Sequence, residues 1–315
     1  MRAIVMRDFG GGEVLEPGEV PRPQVAPGQV LVRVVASGTN PVDAKIRATG
    51  RWARIQPPAV IGYDAAGVVE EVGGGVTDFK PGDEVYYTPE IFGNQLGTYA
   101  EYNVVPASIV ARKPAGVDFV AAAAVPLAGG TAYEALVVRL ALRPGETVLI
   151  HGGAGGVGSF AVQIARACGA RVIATSGASN LDTVRSLGAH VAVDYRNEDV
   201  AAVALRETGG AGVDAVFDTA GGDNIAKSIA ATRPFGRLAS ILTPSGELGP
   251  FTMKNLTLHG VFLMRERARL DALARLIERK QVTPLVDEVL PLAEVRKAHQ
   301  RLDAGHGRGK IVLRV

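Results

Sequence analysis

The chain has 315 residues, of which 47% are hydrophobic and 21% charged, and its formal net charge at pH 7 is +2. This composition is typical of a folded protein, and the length predicts about two domains. The interspersed charges argue against a nucleic-acid partner or binding to an anionic membrane. The one cysteine, Cys168, excludes an internal disulfide and a four-thiolate zinc site. Because the sequence shows no apolar stretch typical of a signal peptide or a membrane span, we expect a cytoplasmic protein.

Residues 1–118 are predicted to be rich in β-strands. β-Branched runs predict strands at Ala3–Met6, Val30–Val35, Ala66–Val72, Glu84–Tyr87 and Tyr99–Val105. Glycine and proline pairs separate these runs at short intervals. Short strands between frequent turns are typical of an antiparallel barrel or sandwich.

From residue 119 onward, strand and helix patterns alternate. Helices are predicted at Phe119–Val125, Gly130–Leu140, Ser159–Ala167 and Asn180–Leu187, and strands at Thr147–Ile150, Arg171–Thr175, Val191–Val193, Val213–Phe217, Leu238–Leu242 and Leu258–Leu263. This alternation predicts a parallel sheet with helices on both faces.

The last part of the chain is predicted to return to the N-terminal β domain. It contains an amphipathic helix over Arg267–Lys280 and strand-like segments at Val282–Leu290 and Lys310–Val315. We therefore predict one domain formed by residues 1–118 and 265–315, and a second formed by residues 119–264.

A glycine-rich turn follows the strand at Thr147–Ile150. Gly153, Gly155 and Gly158 match the spacing G-x-G-x-x-G, between a predicted strand and a predicted helix. In that context the glycines allow a tight turn and a close approach of backbone to a pyrophosphate, and the helix directs free N–H groups at the phosphates. We predict that this turn binds a dinucleotide through Ala154, Gly155, Gly156, Val157 and Gly158. The alternative is a glycine turn with a structural role only.

The end of the next strand favours NADP over NAD. NAD-binding domains carry an Asp or Glu there that bonds the ribose 2′-hydroxyl, whereas the first acidic residue after this strand is Asp182, inside the next helix. Ser176 and Ser179 can bond a 2′-phosphate, and Arg196, beside Tyr195, can supply a cation. The alternative for the two serines is helix capping.

Together these features resemble the medium-chain dehydrogenase/reductase superfamily, in particular its zinc-independent quinone oxidoreductase (zeta-crystallin-like) branch. The resemblance rests on Asn40–Lys45, Ile61–Glu70, Gly82–Val85, Gly97–Glu101, Pro126–Ala132, Gly152–Gly158 and Gly309–Leu313. It implies an α/β protein in which a GroES-like β-barrel catalytic domain carries an inserted, doubly wound Rossmann sheet. It also implies a cofactor cleft between the two domains and a homodimer.

The resemblance also implies that the protein works without a metal. Zinc-containing relatives have a cysteine where this chain has the segment Ser37–Asn40, and Gly-His-Glu where it has Gly62–Asp64. A catalytic zinc needs about three protein ligands. The histidines show no metal-binding spacing; they are His151, His190, His259, His299 and His306.

By the same resemblance, several residues are assigned to the reaction or to the cofactor. Asn40, Asp43 and Lys45 are expected near the nicotinamide or the substrate, and Tyr63 is expected to be a phenol donor at the vacated zinc position. Further cofactor contacts are expected at Thr131, Asp218, Leu242, Gly260, Phe262 and Lys310. The alternatives are that Tyr63 only fills space, that Lys45 and Lys310 are surface lysines, and that the segment 260–262 is core.

The reaction expected from these residues is reduction of a quinone or an α,β-unsaturated carbonyl by NADPH. Such acceptors leave a delocalised phenolate or enolate, so alignment and hydrogen bonds to the developing oxyanion are enough without a Lewis acid. One alternative is an alkenal or enoyl-thioester reductase on the same scaffold. Another is a crystallin-like or regulatory protein that binds NADPH without turnover.

Overall fold

The computed structural model describes residues 1–305 and 307–315, so His306 lies outside the described residues. The chain divides into two compact units. Unit 1 comprises Met1–Ala128, Met264–Glu278 and Pro284–Val315, and unit 2 comprises Gly129–Leu263 and Arg279–Thr283.

The strands are β1 (Arg2–Met6), β2 (Leu15–Glu19), β3 (Gln29–Gly38), β4 (Ala65–Val72), β5 (Glu84–Tyr87), β6 (Tyr102–Pro106), β7 (Ala111–Arg112), β8 (Thr147–His151), β9 (Arg171–Ser176), β10 (Val191–Asp194), β11 (Val213–Asp218), β12 (Thr232–Ser240), β13 (Thr257–Gly260), β14 (Val286–Pro291) and β15 (Lys310–Arg314). The α-helices are α1 (Pro41–Thr49), α2 (Phe119–Ala123), α3 (Pro126–Tyr133), α4 (Gly156–Ala167), α5 (Leu181–Ser186), α6 (Val200–Glu207), α7 (Asn224–Ala231), α8 (Pro250–Met253), α9 (Arg267–Glu278) and α10 (Val295–Ala304). None of these helices is long and apolar enough to cross a membrane.

Unit 1 is built on a mainly antiparallel sheet with the order β14-β15-β3-β4-β5-β7, and β6 also pairs with β3. In the long strand β3, Val30, Val32 and Val34 are buried on one face; on the other face Arg33 is exposed, although Leu31 is buried. Alternation with a period of two buries one face of a strand. A second core in this unit contains Ile46, Tyr63 and other buried apolar side chains.

Unit 2 is a six-stranded parallel sheet with the order β10-β9-β8-β11-β12-β13. Val148, Leu149 and Ile150 of β8 are all fully buried, as expected for a parallel strand covered on both faces. The strand order is that of a doubly wound Rossmann sheet, with the change of direction at β8. The predicted α/β architecture is therefore confirmed.

Some boundaries differ from the sequence prediction. The first unit extends to Ala128 rather than to residue 118, because α2 packs on β3: a Cβ placed on Gly38 would lie 2.3 Å from the carbonyl oxygen of Ala123. The predicted strands at Leu258–Leu263 and Val282–Leu290 are shorter, since β13 ends at Gly260 and β14 begins at Val286. The helices α1, α6, α7, α8 and α10 were not among the predicted ones.

Candidate functional site

The predicted cofactor residues of unit 2 follow one edge of its sheet. In the strand register, His151 at the end of β8 is opposite Asp218 of β11, Asp218 is opposite Ser240 of β12, and Ser240 is opposite Gly260 of β13. On the other side of β8, Ser176 of β9 is opposite Asp194 of β10. Ligands of doubly wound sheets bind at this carboxyl-end edge.

The turn between β8 and α4 is closely packed and depends on its glycines. A Cβ placed on Gly158 would lie 2.0 Å from the carbonyl oxygen of Gly152, whereas one on Gly155 would lie 3.3 Å from the same atom. Gly155 is the N-cap of α4. Because glycine has no side chain, this residue leaves the space in front of the helix N-terminus clear. The turn therefore presents bare backbone and the N-terminus of a twelve-residue helix, which suits a phosphate.

The predicted 2′-phosphate residues lie on two neighbouring strand ends. Ser176 is buried at the end of β9, and the backbone N–H of Tyr195 donates to its carbonyl oxygen at 3.3 Å. Arg196 stacks over the Tyr195 ring at 5.6 Å from the centroid, and its Nε donates to the Tyr195 hydroxyl at 3.2 Å. Both side chains are exposed, as is Ser179, for which the structure gives no side-chain capping bond.

Asp218 is held by several hydrogen bonds at the end of β11. Its carboxylate accepts hydrogen bonds from the backbone N–H groups of Ala220 and Gly221, from Asn224 Nδ2, and from Ser240 Oγ. These bonds occupy both oxygens of a side chain that is fully buried. Asp218 therefore shapes the loop after β11, and its assignment to the cofactor stays a prediction.

The other predicted cofactor residues of unit 2 are dispersed. Thr131 is buried in α3, and Leu242 follows β12, where its N–H donates to Ser240 Oγ at 3.2 Å. Gly260 ends β13 with open space around it, and Phe262 is 48% exposed rather than core. Their assignment to the cofactor stays a prediction.

Unit 1 holds a buried polar cluster around Asn40, the N-cap of α1. We call Asn40, Asp43, Asp64 and Lys310 the Asn40 cluster; all four are at most 3% exposed. Asn40 Nδ2 donates to Asp64 Oδ2 at 2.9 Å, and the Asn40 backbone N–H donates to Asp43 Oδ2 at 2.8 Å. Lys310 Nζ donates to Asn40 Oδ1 and to the carbonyl oxygen of Thr39 at 2.6 Å.

Lys310 is therefore not the surface lysine of the alternative, and its assignment to the cofactor stays a prediction. Its Nζ also lies 3.3 Å from Asp64 Oδ2, forming a buried ion pair. Burial raises the pKa of Asp64, and the positive charge of Lys310 is the largest influence that lowers it. The ammonium is needed inside the unit because Asp64 would otherwise be an unpaired buried charge.

A directed chain of hydrogen bonds leads to Asp43. Arg47 Nη1 lies 3.0 Å from His299 Nδ1, and because arginine can only donate, Nδ1 accepts and the proton of the neutral imidazole is on Nε2. His299 Nε2 then donates to the Tyr99 hydroxyl at 3.3 Å, and that hydroxyl donates to Asp43 Oδ2 at 2.7 Å. Arg47 is itself paired with Asp303 at 2.8 Å.

The pKa values of this chain follow from its burial. Burial raises the pKa of Asp43 to about 7, although the hydrogen bonds from Tyr99 and Asn40 lower it. Burial and the neighbouring charge of Arg47 lower the pKa of His299 to about 3. His299 is thus neutral in the folded protein at every pH at which the protein is expected to work.

His299 makes a testable contribution to acid sensitivity. The pKa of His299 is about 3 in the folded protein and 6.5 in the reference state, so the unfolded chain binds a proton more readily. The contribution of His299 to the free energy of unfolding is therefore complete above pH 6.5 and is lost as the pH falls towards 3. His299→Gln should reduce the loss of unfolding free energy between pH 7 and pH 5 by about 2 kcal/mol, measured by urea unfolding. An unaltered pH dependence in His299→Gln contradicts the assignment.

The remaining two catalytic candidates lie in contrasting environments. Tyr63 is fully buried in the core of unit 1, and its hydroxyl has no hydrogen-bond partner in the described part of the chain. Burial, reinforced by the negative charge of Asp43, raises the pKa of Tyr63. Lys45 is exposed on α1, between the buried Ala44 and Ile46. The role of Tyr63 as a donor stays a prediction, beside the alternative that it only fills space.

Comparison with known proteins covers the whole chain. Residues 26–115 match the family model of the alcohol dehydrogenase GroES-like domain, and residues 187–313 match that of the zinc-binding dehydrogenase. The chain is 37% identical over 327 residues to an NADPH-dependent alkenal/one oxidoreductase of Arabidopsis thaliana, covering 99% of this chain and 79% of that protein. It is 35% identical to a quinone oxidoreductase of Pseudomonas aeruginosa, covering 99% of both. The chain belongs to the quinone oxidoreductase family of the medium-chain dehydrogenase/reductase superfamily.

Solved structures of the superfamily agree with this assignment. A mycobacterial protein crystallised with NADPH superposes with a TM-score of 0.89 over 100% of both chains, at 33% identity. Family membership makes this protein an oxidoreductase and confirms the predicted GroES-like domain with its Rossmann-like sheet.

Within this family fold, sequence reasoning named Asn40, Asp43 and Lys310 but missed Asp64 and the chain of residues that supports the cluster. Arg47, Tyr99, His299 and Asp303 were not assigned a role, because they come together only in the folded unit. A local signal did exist for α1. Asn40 and Asp43 are the N-cap and N3 residues of a capping box, with a proline at the first helical position.

Proposed function

We propose that this protein reduces a quinone or an α,β-unsaturated carbonyl by hydride transfer from NADPH, without zinc. The observation that carries the proposal is the glycine turn before α4, which presents bare backbone, in a chain that is similar over 99% of its length to an NADPH-dependent alkenal/one oxidoreductase. The alkenal and quinone acceptors named for the relatives are both electron-poor, so they share one chemistry.

The residues of unit 2 fit the nucleotide. The backbone from Ala154 to Gly158 would hold the pyrophosphate, since no side chain of Gly155 or Gly156 intrudes there. Ser176 and Arg196 would hold the 2′-phosphate, and the segment from Ser176 to Asn180 carries no carboxylate to repel it. When bound, NADPH supplies the hydride.

The residues of unit 1 supply a hydrogen-bond donor for the acceptor. Asn40 Nδ2 carries two protons, and within the described residues only Asp64 accepts one of them. The other is free to donate to the oxygen on which negative charge develops during reduction. An enolate or phenolate oxygen needs such a donor, whereas an unactivated ketone needs the stronger polarisation of a Lewis acid.

The same residues do not fit a zinc ion, although one matching family model is named for zinc binding. Asn40 Oδ1 and Asp64 Oδ2 both face the ammonium of Lys310, whose charge opposes a divalent cation. The pKa of the Tyr63 phenol is raised by burial, so it stays protonated and is a poor ligand. In the described residues no group of three His, Cys, Asp or Glu side chains has the geometry to hold a metal.

Turnover with a panel of acceptors tests the proposal. NADPH oxidation should be measured with 1,4-benzoquinone, 2-cyclohexen-1-one, an enoyl thioester and a saturated aldehyde, each with and without a chelator. We expect turnover of the quinone or the enone that is insensitive to the chelator. Preference for the thioester supports the alternative reductase, and NADPH binding without any turnover supports the crystallin-like or regulatory alternative. Chelator-sensitive aldehyde reduction contradicts the zinc-free proposal.

Arg196 should control the choice between the two nucleotides. Arg196→Ala is expected to raise the Kd of NADPH by about 10- to 100-fold, because it removes a charge-assisted bond to the 2′-phosphate, and to leave the Kd of NADH unchanged. Fluorescence titration with both nucleotides measures this. Arg185→Ala removes an exposed arginine paired with Asp182 and is the matched control. An equal rise in the Kd of NADPH and of NADH would show that Arg196 contacts another part of the cofactor.

We propose further that the protein is a homodimer. In support, β13 is an edge strand of the six-stranded sheet, and Val138 and Phe235 of the same unit are 52% and 68% exposed. Exposed edges and large apolar side chains favour association. Sedimentation velocity decides, and a species with the mass of one chain contradicts it. We also propose a cytoplasmic location, because a chain with one unpaired cysteine suits a reducing compartment.

A further inference from the structure

Asn40 is held by hydrogen bonds at its backbone N–H, at Oδ1 and at one of its two Nδ2 protons; the second Nδ2 proton is the exception. Its backbone N–H bonds Asp43, one Nδ2 proton bonds Asp64, and Oδ1 accepts from Lys310. The chemistry of the partners fixes the orientation of the amide, because an ammonium can only donate and an ionised carboxylate can only accept. Rotation of the amide by 180° would oppose Nδ2 to the ammonium and Oδ1 to the carboxylate.

Each partner of Asn40 is itself held in place. Asp64 Oδ1 accepts from the backbone N–H of Leu127 at 2.7 Å, and Lys310 Nζ bonds the Thr39 carbonyl oxygen at 2.6 Å. Asp43 accepts from Tyr99 at 2.7 Å. Groups whose neighbours are also fixed lose little freedom when a ligand binds, and this is the arrangement of a preorganised donor.

From this geometry we infer that Lys310 is a positioning residue for the reaction, acting through Asn40. By bonding Oδ1 it fixes the amide so that its one remaining Nδ2–H is the donor to the oxygen of the quinone or enone. Withdrawal of electron density at Oδ1 also strengthens donation from Nδ2, because linked hydrogen bonds polarise one another. The inference rests on the proposed function for the identity of the acceptor, but the orientation of Asn40 does not depend on turnover.

The positioning is tested first by NMR of the 15N-labelled protein without acceptor. The Asn40 side-chain amide signals are assigned by their loss in Asn40→Ala. In the wild type they should exchange slowly with solvent. In the double variant Lys310→Met/Asp64→Asn, which removes both charges together, exchange should accelerate at least about 10-fold, the ratio expected when one hydrogen bond of about 1.4 kcal/mol is lost. Unchanged exchange in a folded double variant overturns the inference.

Kinetics then test the consequence for the reaction, with 2-cyclohexen-1-one as acceptor. The double variant should lose about 10- to 100-fold in kcat, with KM for NADPH unaltered, because a misdirected donor no longer stabilises the developing oxyanion. Lys254→Met is the control: the ammonium of Lys254 also makes three bonds, to the carbonyl oxygens of Ile229, Ala230 and Thr232, away from the cluster. It should lower stability and leave kcat unchanged.

The outcomes separate the inference from the proposed function. If the wild-type protein reduces neither the enone nor 1,4-benzoquinone, the proposed function fails, and the NMR experiment still decides whether the Lys310–Asp64 pair positions Asn40. If the wild type reduces the enone and the double variant keeps its kcat, the inference fails alone. An equal loss of kcat in Lys254→Met would assign the effect to stability and would also overturn it.

Discussion

Gly155→Ala is expected to weaken NADPH binding by about 100-fold, equivalent to about 2.7 kcal/mol, in a protein that remains folded. The added Cβ would lie 3.3 Å from the carbonyl oxygen of Gly152, a distance that a small local shift relieves. Gly155 is the N-cap of α4, however, so the same methyl group would occupy the space in which a pyrophosphate meets the helix N-terminus. Fluorescence titration with NADPH gives the Kd.

Gly158→Ala should act differently, although it lies in the same motif. Its Cβ would stand 2.0 Å from the Gly152 carbonyl oxygen, so the turn cannot close with α4 against β8. We expect a lower Tm as well as loss of binding. Gly74→Ala, on an exposed turn with open space around its Cβ, should change neither property. Normal NADPH affinity in Gly155→Ala would show that the nucleotide is not held at this turn.

The glycine turn was predictable because its residues are neighbours in sequence. Gly153, Gly155 and Gly158 are separated by a few positions, and the strand before them and the helix after them are each continuous. The chemistry of the turn is therefore local: a bare backbone and a helix N-terminus need no distant partner. The placement of Ser176 followed for the same reason, since it ends the next strand of the sheet.

The hydrogen bonds of the Asn40 cluster and of its supporting chain were not predictable in the same way. Lys310 and Asn40 are separated by 270 positions, and His299 and Tyr99 by 200. A lysine read from sequence alone is most often exposed, and only the antiparallel pairing of β15 with β3 brings Lys310 beside Thr39 and Asn40. The carboxylate of Asp64 offsets the free-energy cost of burying the Lys310 ammonium. Nothing in the local sequence indicates that Asp64 and Lys310 are paired.

The Lys310–Asp64 pair should be strongly coupled in stability. Lys310→Met leaves Asp64 as an unpaired buried carboxylate, and Asp64→Asn leaves Lys310 as an unpaired buried ammonium. Each single change should therefore lower the free energy of unfolding by about 3–5 kcal/mol. The double variant removes both charges, and the amide oxygen that replaces the carboxylate can still accept from the Leu127 N–H, so much of that loss should be recovered. Urea unfolding of the four proteins gives the coupling energy.

The size and sign of this coupling distinguish an internal ion pair from two separate side chains. If the double variant is as unstable as the sum of the single variants, the ammonium and the carboxylate do not interact, and Asn40 lacks the partners assigned to it. A coupling of about 2 kcal/mol or more is expected instead, because the charges are 3% and 0% exposed and therefore poorly screened by water. A buried pair of this kind is weak evidence for stability in itself, and its retention is better explained by the orientation that it imposes on Asn40.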